Sequence, residues 1–172
     1  RLSGFPPERV LGSGTVLDTA RLKYLLGERF GVDSRSVHAF IIGEHGDSEL
    51  AVWSSANISG VDLADFFQMA GADRREEQQR LYESVRDSAY EIISKKGATY
   101  YAIAMAVRRI AECIVRDEHS VLPVSTLLSG EYGLSDLCLG VPAIVDRGGV
   151  EQVLEIPLDL EERRRLRESA DA

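Results

Sequence analysis

A chain of 172 residues, 44% hydrophobic and 28% charged, is the size of one globular domain with a real core. Its formal net charge of -8 leaves no basic surplus to neutralise phosphates. That excludes general nucleic-acid binding but leaves room for a local basic pocket holding a small anion. The two cysteines, Cys113 and Cys138, lack metal-ligand spacing, and no apolar run reaches membrane-spanning length, so a metal is not expected.

Residues 1–16 are rich in Gly and Pro and read as a loop. They begin RLSGFPPER without an initiator Met, as the middle of a longer protein would. A helix is expected over 17–30, with Leu17, Ala20, Tyr24 and Leu25 on its apolar side and Gly31 as its stop. The run 37–42 reads as a strand and 50–53 as another, separated by the polar turn GEHGDSE at 43–49. A short helix is expected over 61–69. A long charged one follows over 73–94, with Leu81, Val85, Ala89, Ile92 and Ile93 as its stripe. Gly97 breaks it, and Thr99 opens a further helix to about residue 115. Adjacent Ile103, Ala104, Met105, Ala106 and Val107 predict burial of that helix on most sides. From residue 120 the pattern becomes short β-like runs, at 121–128, 134–139, 142–146 and 148–156, split by glycine turns. A charged helix over 159–169 ends the chain, with Glu161 and Glu162 at its start and arginines after them. The reading is α+β: long helices packed on a small antiparallel sheet. Both cysteines, set among apolar neighbours, read as buried reduced thiols of a cytoplasmic protein.

Four places carry residues suited to chemistry. His45, at a strand end and flanked by glycines, is either a solvent-exposed turn histidine or a general acid/base projecting into a cleft. Asp18 and Arg21, three apart on one helix face, are either a surface ion pair or a functional pair. In the second case Asp18 orients His45 and stabilises its charged ring, while the planar Arg21 fork grips a substrate carboxylate. Thr99 would serve at least as a helix N-cap. GSGT at 12–15 is too short, and too poorly placed after a strand, for a dinucleotide loop.

Three longer runs add a resemblance. RVLGSGTVLDTARLKYLLGERFGV (9–32), IIGEHGDSELAVWS (41–54) and KKGATYYAIAMAV (95–107) resemble, in order, the L-lactate dehydrogenase family within the lactate/malate dehydrogenase superfamily. The resemblance covers nearly the whole chain and implies that residues 1–172 form that family's C-terminal substrate-binding and catalytic domain. A nucleotide-binding domain, with the dinucleotide loop and a mobile loop bearing a second arginine, would precede it. The implied reaction is reversible NADH-dependent reduction of pyruvate to L-lactate. His45 is then the proton donor, Asp18 its carboxylate partner and Arg21 the substrate anchor. Thr99 is a pocket wall, and Ser13 and Ile103 are neighbours of the nicotinamide ring of NAD. The fragment alone would be inactive.

The resemblance also implies a homotetramer of pyruvate-fermenting, glycolytic type. It implies an allosteric site for fructose 1,6-bisphosphate at Lys23 and His38, where Lys23 stands in place of the family's usual arginine. Malate or another 2-hydroxy acid is the alternative substrate, and Thr99 favours lactate. A non-catalytic assembly domain that kept the fold is the alternative of another class.

Overall fold

A computed structural model describes residues 2–97 and 99–172, with the side chains of Ala89 and Lys96 also outside the description. Helix α1 (Val16–Phe30) ends on Gly31, whose φ of 67° gives a left-handed cap with its N–H on the Gly27 carbonyl. Leu22 and Leu26 from α1 are fully buried against strand β1 (Val37–Ile42). Strand β2 (Leu50–Ile58) pairs antiparallel with β1, and the two-residue β3 (Val61–Asp62) pairs with β2. Helices α2 (Leu63–Met69) and α3 (Arg74–Lys96) cover this first core with Phe67, Leu81 and Val85.

Helix α4 (Tyr101–Arg116) packs Ala106, Ile110 and Cys113 on a second antiparallel sheet. That sheet runs β4 (Ser120–Ser129), β5 (Ser135–Asp146) and β6 (Gly149–Val153) in order. The last helix, α5 (Leu160–Ala170), opens on a reciprocal Asp159–Glu162 capping box. Glu162 then reaches beyond its own helix and accepts the N–H groups of Trp53 and Ser54 at 2.8 and 3.0 Å, tying α5 to β2.

The two sheets meet at a close backbone crossing. Gly43, just past β1, exchanges backbone hydrogen bonds with Gly140 of β5 at 2.8 and 2.9 Å. Thr15 sits beside them and donates its hydroxyl to the Ile41 carbonyl at 2.6 Å. One turn on, Thr19 accepts the Ile41 N–H at 2.8 Å. A Cβ on Gly140 would stand 2.9 Å from the Thr15 hydroxyl and 3.0 Å from the Gly43 carbonyl, while Gly43, at a φ of +107°, would set its Cβ 2.6 Å from the Ser169 hydroxyl, so glycine is required at both positions for different reasons.

The expected α+β class is what the structure has, but several details differ. The sheet is two three-stranded sheets rather than one. The runs 134–139 and 142–146 are one strand, continuous through Gly140 and Pro142. Pro142 stands opposite Pro123. Their carbonyls accept from Leu154 and Thr15, outside the pair, so two residues without amide donors fit a central ladder. The helix expected from 61 begins at Leu63, after β3. Helix α4 begins at Tyr101 with Tyr100 at the N-cap, so Thr99 does not cap it.

Helix α4 is buried on one face only. Ala104 is exposed, and so are Met105 at 58% and Val107 at 53%, because the second sheet covers only the Ala106–Ile110–Cys113 side. Cys113 is buried as expected, with its thiol on the Val145 carbonyl at 3.0 Å, but Cys138 is exposed. Leu139 next to it points inward, and strand alternation turns Cys138 out. Among the described residues no helix is long and apolar enough to cross a membrane.

Gly14 gives a test of the crossing. Its φ is +50°, and a Cβ would fall 2.5 Å from the Ser125 amide nitrogen and 2.7 Å from the Pro123 carbonyl oxygen. Gly71 has a similar φ of +64° but open space around it. Gly14→Ala in the complete protein is expected to cost about 2–4 kcal/mol, and Gly71→Ala only about 1–2. Denaturant unfolding measures both, and equal losses would mean that the close approach at Gly14 constrains nothing.

Candidate active site

The turn between β1 and β2 is held from below by α5. The Ser169 hydroxyl accepts the Glu44 N–H at 2.8 Å, and Ser48 bridges Glu44 and Ser169 at 2.7 and 3.1 Å. His45 projects from this turn with its side chain 54% exposed. The crossing at Gly43 lies two residues before it. Asp18 lies three residues after Thr15, on the first turn of α1, so the same crossing places both.

Asp18 is buried, at 2% exposure, and its two oxygens face different cations. Oδ1 accepts from Nη1 of Arg21 at 3.1 Å. Oδ2 lies 2.8 Å from Nδ1 of His45, an ion-pair distance, although the ring N–H is not aligned as a hydrogen bond. Glu49 is also in reach: its Oε2 lies 3.8 Å from the same Nδ1, and the residue is only 3% exposed. Asp18, and to a lesser degree Glu49, push the His45 ring up to about 10, against the opposing cost of its partial burial. Burial raises the Glu49 carboxyl in turn, and the imidazolium opposes that rise.

Arg21 has its side chain 16% exposed and spends one donor on Asp18. Among the described residues no other acceptor takes its remaining donors. It is thus a largely buried partner with most of its fork unused. Ser13 is half-buried in the loop that pairs Gly12 with Ser125, and its hydroxyl makes no hydrogen bond among the described residues. Ile103, on the first turn of α4, packs part-buried against the cluster that contains Val16 and Leu17. Thr99 is half-buried just before α4, and no hydrogen bond joins it to His45 or Asp18.

Lys23 and His38 come together elsewhere. They line one pocket of about 320 Å³ with Thr19, Phe40 and Arg109. Burial lowers the Lys23 ammonium. Arg109 is paired with Glu118 at 2.6 Å and donates to Ser120 at 2.9 Å. Arg109 is a basic group that sequence reasoning missed: it reads as an ordinary polar position of α4, and only the tertiary fold brings it to Lys23. Glu49 was likewise read as one more acid of the turn. Its signal was its spacing, four residues from His45 and directly before the apolar run LAVW.

Among the described residues, two groups of side chains have donor atoms within 4.8 Å of one another, as a cation would need: Asp18, His45 and Glu49, and separately Asp117, His119 and Asp146. The second is a turn device. Asp117 accepts the Arg147 amide at 3.0 Å and Asp146 accepts the Gly148 amide at 2.6 Å.

The arrangement suits proton transfer beside an anchored anion. A half-exposed imidazole backed by buried carboxylates holds a proton firmly. A guanidinium one helical turn along has donors free for a carboxylate.

The chain is also similar to known proteins. Residues 15–172 match the model of the lactate/malate dehydrogenase alpha/beta C-terminal domain. The chain is 55% identical over 172 residues to an L-lactate dehydrogenase of Acetivibrio thermocellus, covering 99% of this chain and 54% of that protein. It is 53% identical over 170 residues to one of Priestia megaterium, with the same coverages. A solved lactate dehydrogenase from a Medee basin deep-sea metagenome library superposes with a TM-score of 0.94 at 44% identity, over 98% of this chain and 54% of that one. The minor L-lactate dehydrogenase of Enterococcus mundtii superposes equally well at 41% identity, with the same coverages. The chain therefore spans about half the length of the relatives it matches.

The ion pair at His45 makes a pH prediction. A ring whose folded pKa lies above its unfolded value stabilises the fold fully below about pH 6.5, and that contribution is lost as pH rises through about 10. Between pH 6.5 and 10.5 the melting temperature of the complete protein should therefore fall more steeply than that of its Asp18→Asn variant. Parallel curves would show that Asp18 does not hold the His45 proton.

Proposed function

The chain belongs to the lactate/malate dehydrogenase family, and we propose that the complete protein is an L-lactate dehydrogenase of which residues 1–172 are the substrate-binding, catalytic half. The observation that carries this reading is the placement of buried Asp18 between the His45 ring and the Arg21 guanidinium. Reduction of a 2-keto acid needs a proton delivered to the carbonyl oxygen and a fixed grip on the carboxylate next to it. His45 and Arg21 supply these from adjoining elements.

In the proposed mechanism Arg21 takes the pyruvate carboxylate with the donors that Asp18 leaves free. This holds the carbonyl toward His45. The charged ring gives its proton to the oxygen as negative charge develops there, and takes it back from the hydroxyl of lactate in reverse. Asp18 stabilises the ring while it is charged and fixes its direction. Thr99 forms part of the pocket wall. The residues suit NAD: the Ser13 hydroxyl is free for a carboxamide, and Ile103 offers part-exposed apolar surface to a ring. When bound, the nicotinamide supplies the hydride. The nucleotide-binding half precedes residue 1 in this reading, and the protein is a cytoplasmic homotetramer, built as a pair of two-fold dimers.

Arg21→Lys tests the anchor. An ammonium cannot reproduce the fork, so the KM for pyruvate should rise by at least about tenfold. A carbonyl substrate without a carboxylate should hardly notice the change. Equal losses on both substrates would sink the anchoring role.

The pocket of Lys23, His38 and Arg109 supports a second, regulatory part of the reading, an anion effector of the fructose 1,6-bisphosphate type. A phosphate would restore the charge that burial disfavours on Lys23. The effector should lower the apparent KM for pyruvate of the complete enzyme at pH 6. It should do so less at high salt, which screens the attraction between the basic groups and phosphate. The effect should be modest, because a lysine lacks the bidentate fork. No response at either salt concentration would leave Lys23 and His38 as plain structural residues.

A further inference from the structure

We infer that Glu49 is a second counter-ion of His45, a positioning residue that, with Asp18, holds the ring charged and its Nδ1 edge turned inward. The inference rests on the reading of His45 as the proton donor and adds to it the group that sets how firmly the proton is held.

The geometry carries it. Glu49 sits at the last position of the turn, where its backbone N–H reaches the Gly46 carbonyl at 3.3 Å. Its own carbonyl accepts the Tyr82 hydroxyl from α3 and an Arg165 donor from α5 at 3.3 Å. Two helices therefore fix its backbone. Its side chain is turned inward, 3% exposed, toward the face of the turn that carries His45. Oε2 is buried and accepts no hydrogen bond. A buried carboxylate oxygen with no donor is costly to keep, of order 1–3 kcal/mol, unless charge nearby compensates it. Among the described residues its ion-pair partner is His45, at 3.8 Å.

The charged and titratable groups packed round this centre come from four elements. Asp18 and Arg21 face it from α1, Tyr82 from α3, Arg165 from α5, and Asp47 lies in the turn itself, held by the Tyr90 hydroxyl at 3.2 Å. Arg165 lies over the Tyr82 ring, 5.3 Å from its centroid, and meets Glu49 through the backbone carbonyl. The Glu49 carboxylate is thereby left to the imidazole. Asp18 shares its charge between Arg21 and His45. Glu49 adds charge that Arg21 does not take by a hydrogen bond.

Glu49→Gln keeps the shape of the side chain and removes the charge. In the complete enzyme, with histidines labelled with ¹⁵N and the His45 signal assigned through a His45→Gln variant, the His45 titration midpoint should fall by about one pH unit. The alkaline limb of kcat/KM for pyruvate should move down by the same amount, and the lost activity should return as the pH is lowered. A merely structural lesion would not recover in that way. Should Glu49→Gln fail to fold, Asp18→Asn gives the same answer from the other side. With Asp18 neutral, His45 should still titrate above the ordinary imidazole value of about 6.5, held there by Glu49. An unmoved His45 midpoint in Glu49→Gln, or a midpoint at or below about 6.5 in Asp18→Asn, would overturn the inference. A His45 midpoint that moves while the rate profile stays put would uphold Glu49 as counter-ion and remove His45 as proton donor.

Discussion

Everything at the centre of this chain depends on how closely two backbones pass at Gly43 and Gly140. The bare Cα of Gly140 lets β5 touch the end of β1 with Thr15 fitted beside the contact, and Gly43 takes the positive φ that leads β1 into the turn under Ser169. The crossing fixes three things at once. It joins two small sheets that would each be marginal alone. It anchors the first turn of α1 through Thr15 and Thr19, both on the Ile41 backbone. It also sets the point from which the chain leaves to carry His45. Asp18 and His45 come from segments 27 residues apart, yet their separation is decided by hydrogen bonds that involve neither side chain. Preorganisation of that kind spares the site the cost of ordering a flexible pair at each turnover.

Burial then does the electrostatic work. Two carboxylates, Asp18 and Glu49, are almost wholly removed from water, where their field on a neighbouring ring is screened far less than at the surface. The imidazole stays half in solvent, so its own desolvation is modest and attraction wins, which is why the ring is pushed up to about 10. An exposed histidine among acids shows the contrast. His119 has three carboxylates in reach, with Glu151 at 3.0 Å raising it most, but both side chains of that pair are at least half exposed and screened by water.

Much of this was legible in the sequence, for reasons that can be stated. The 3.6-residue spacing and the Gly31 stop fixed α1 nearly to the residue, and the apolar runs on either side of GEHGDSE marked β1 and β2. Where sequence reasoning failed, the missing information was tertiary. Apolar density in α4 predicted burial all round, but burial needs a neighbour, and the second sheet supplies one side only. Cys138 has apolar neighbours in sequence, yet a strand sends adjacent residues to opposite faces. Gly140 and Pro142 read as strand breaks because a crossing backbone and an opposing proline cannot be seen locally. Glu49 was passed over since acids in turns are usually solvated. Its burial is decided by α3 and α5, elements 33 and 116 residues away in sequence.

In the proposed reaction, the same placement would set which end of the His45 ring meets a substrate. Nδ1 faces Asp18 and Glu49, so its proton is the one the carboxylates retain, and Nε2, across the ring, is the nitrogen left toward the open side. When the ring is neutral its lone pair is therefore on Nε2, which is the state needed to receive a proton from a hydroxyl. When it is charged, both nitrogens carry protons, and the one on Nε2 is free to leave because no carboxylate holds it. With Arg21 and His45 both charged, two cations face two buried carboxylates. In the proposed reaction a keto acid would bring one further negative charge to Arg21, which would strengthen the hold on the His45 proton in the ground state. Release then waits until negative charge develops on the carbonyl oxygen itself. A ring so strongly basic is a poor acid toward a neutral carbonyl and a competent one toward a forming alkoxide, and in the proposed reaction this would tie proton transfer to the moment of reduction.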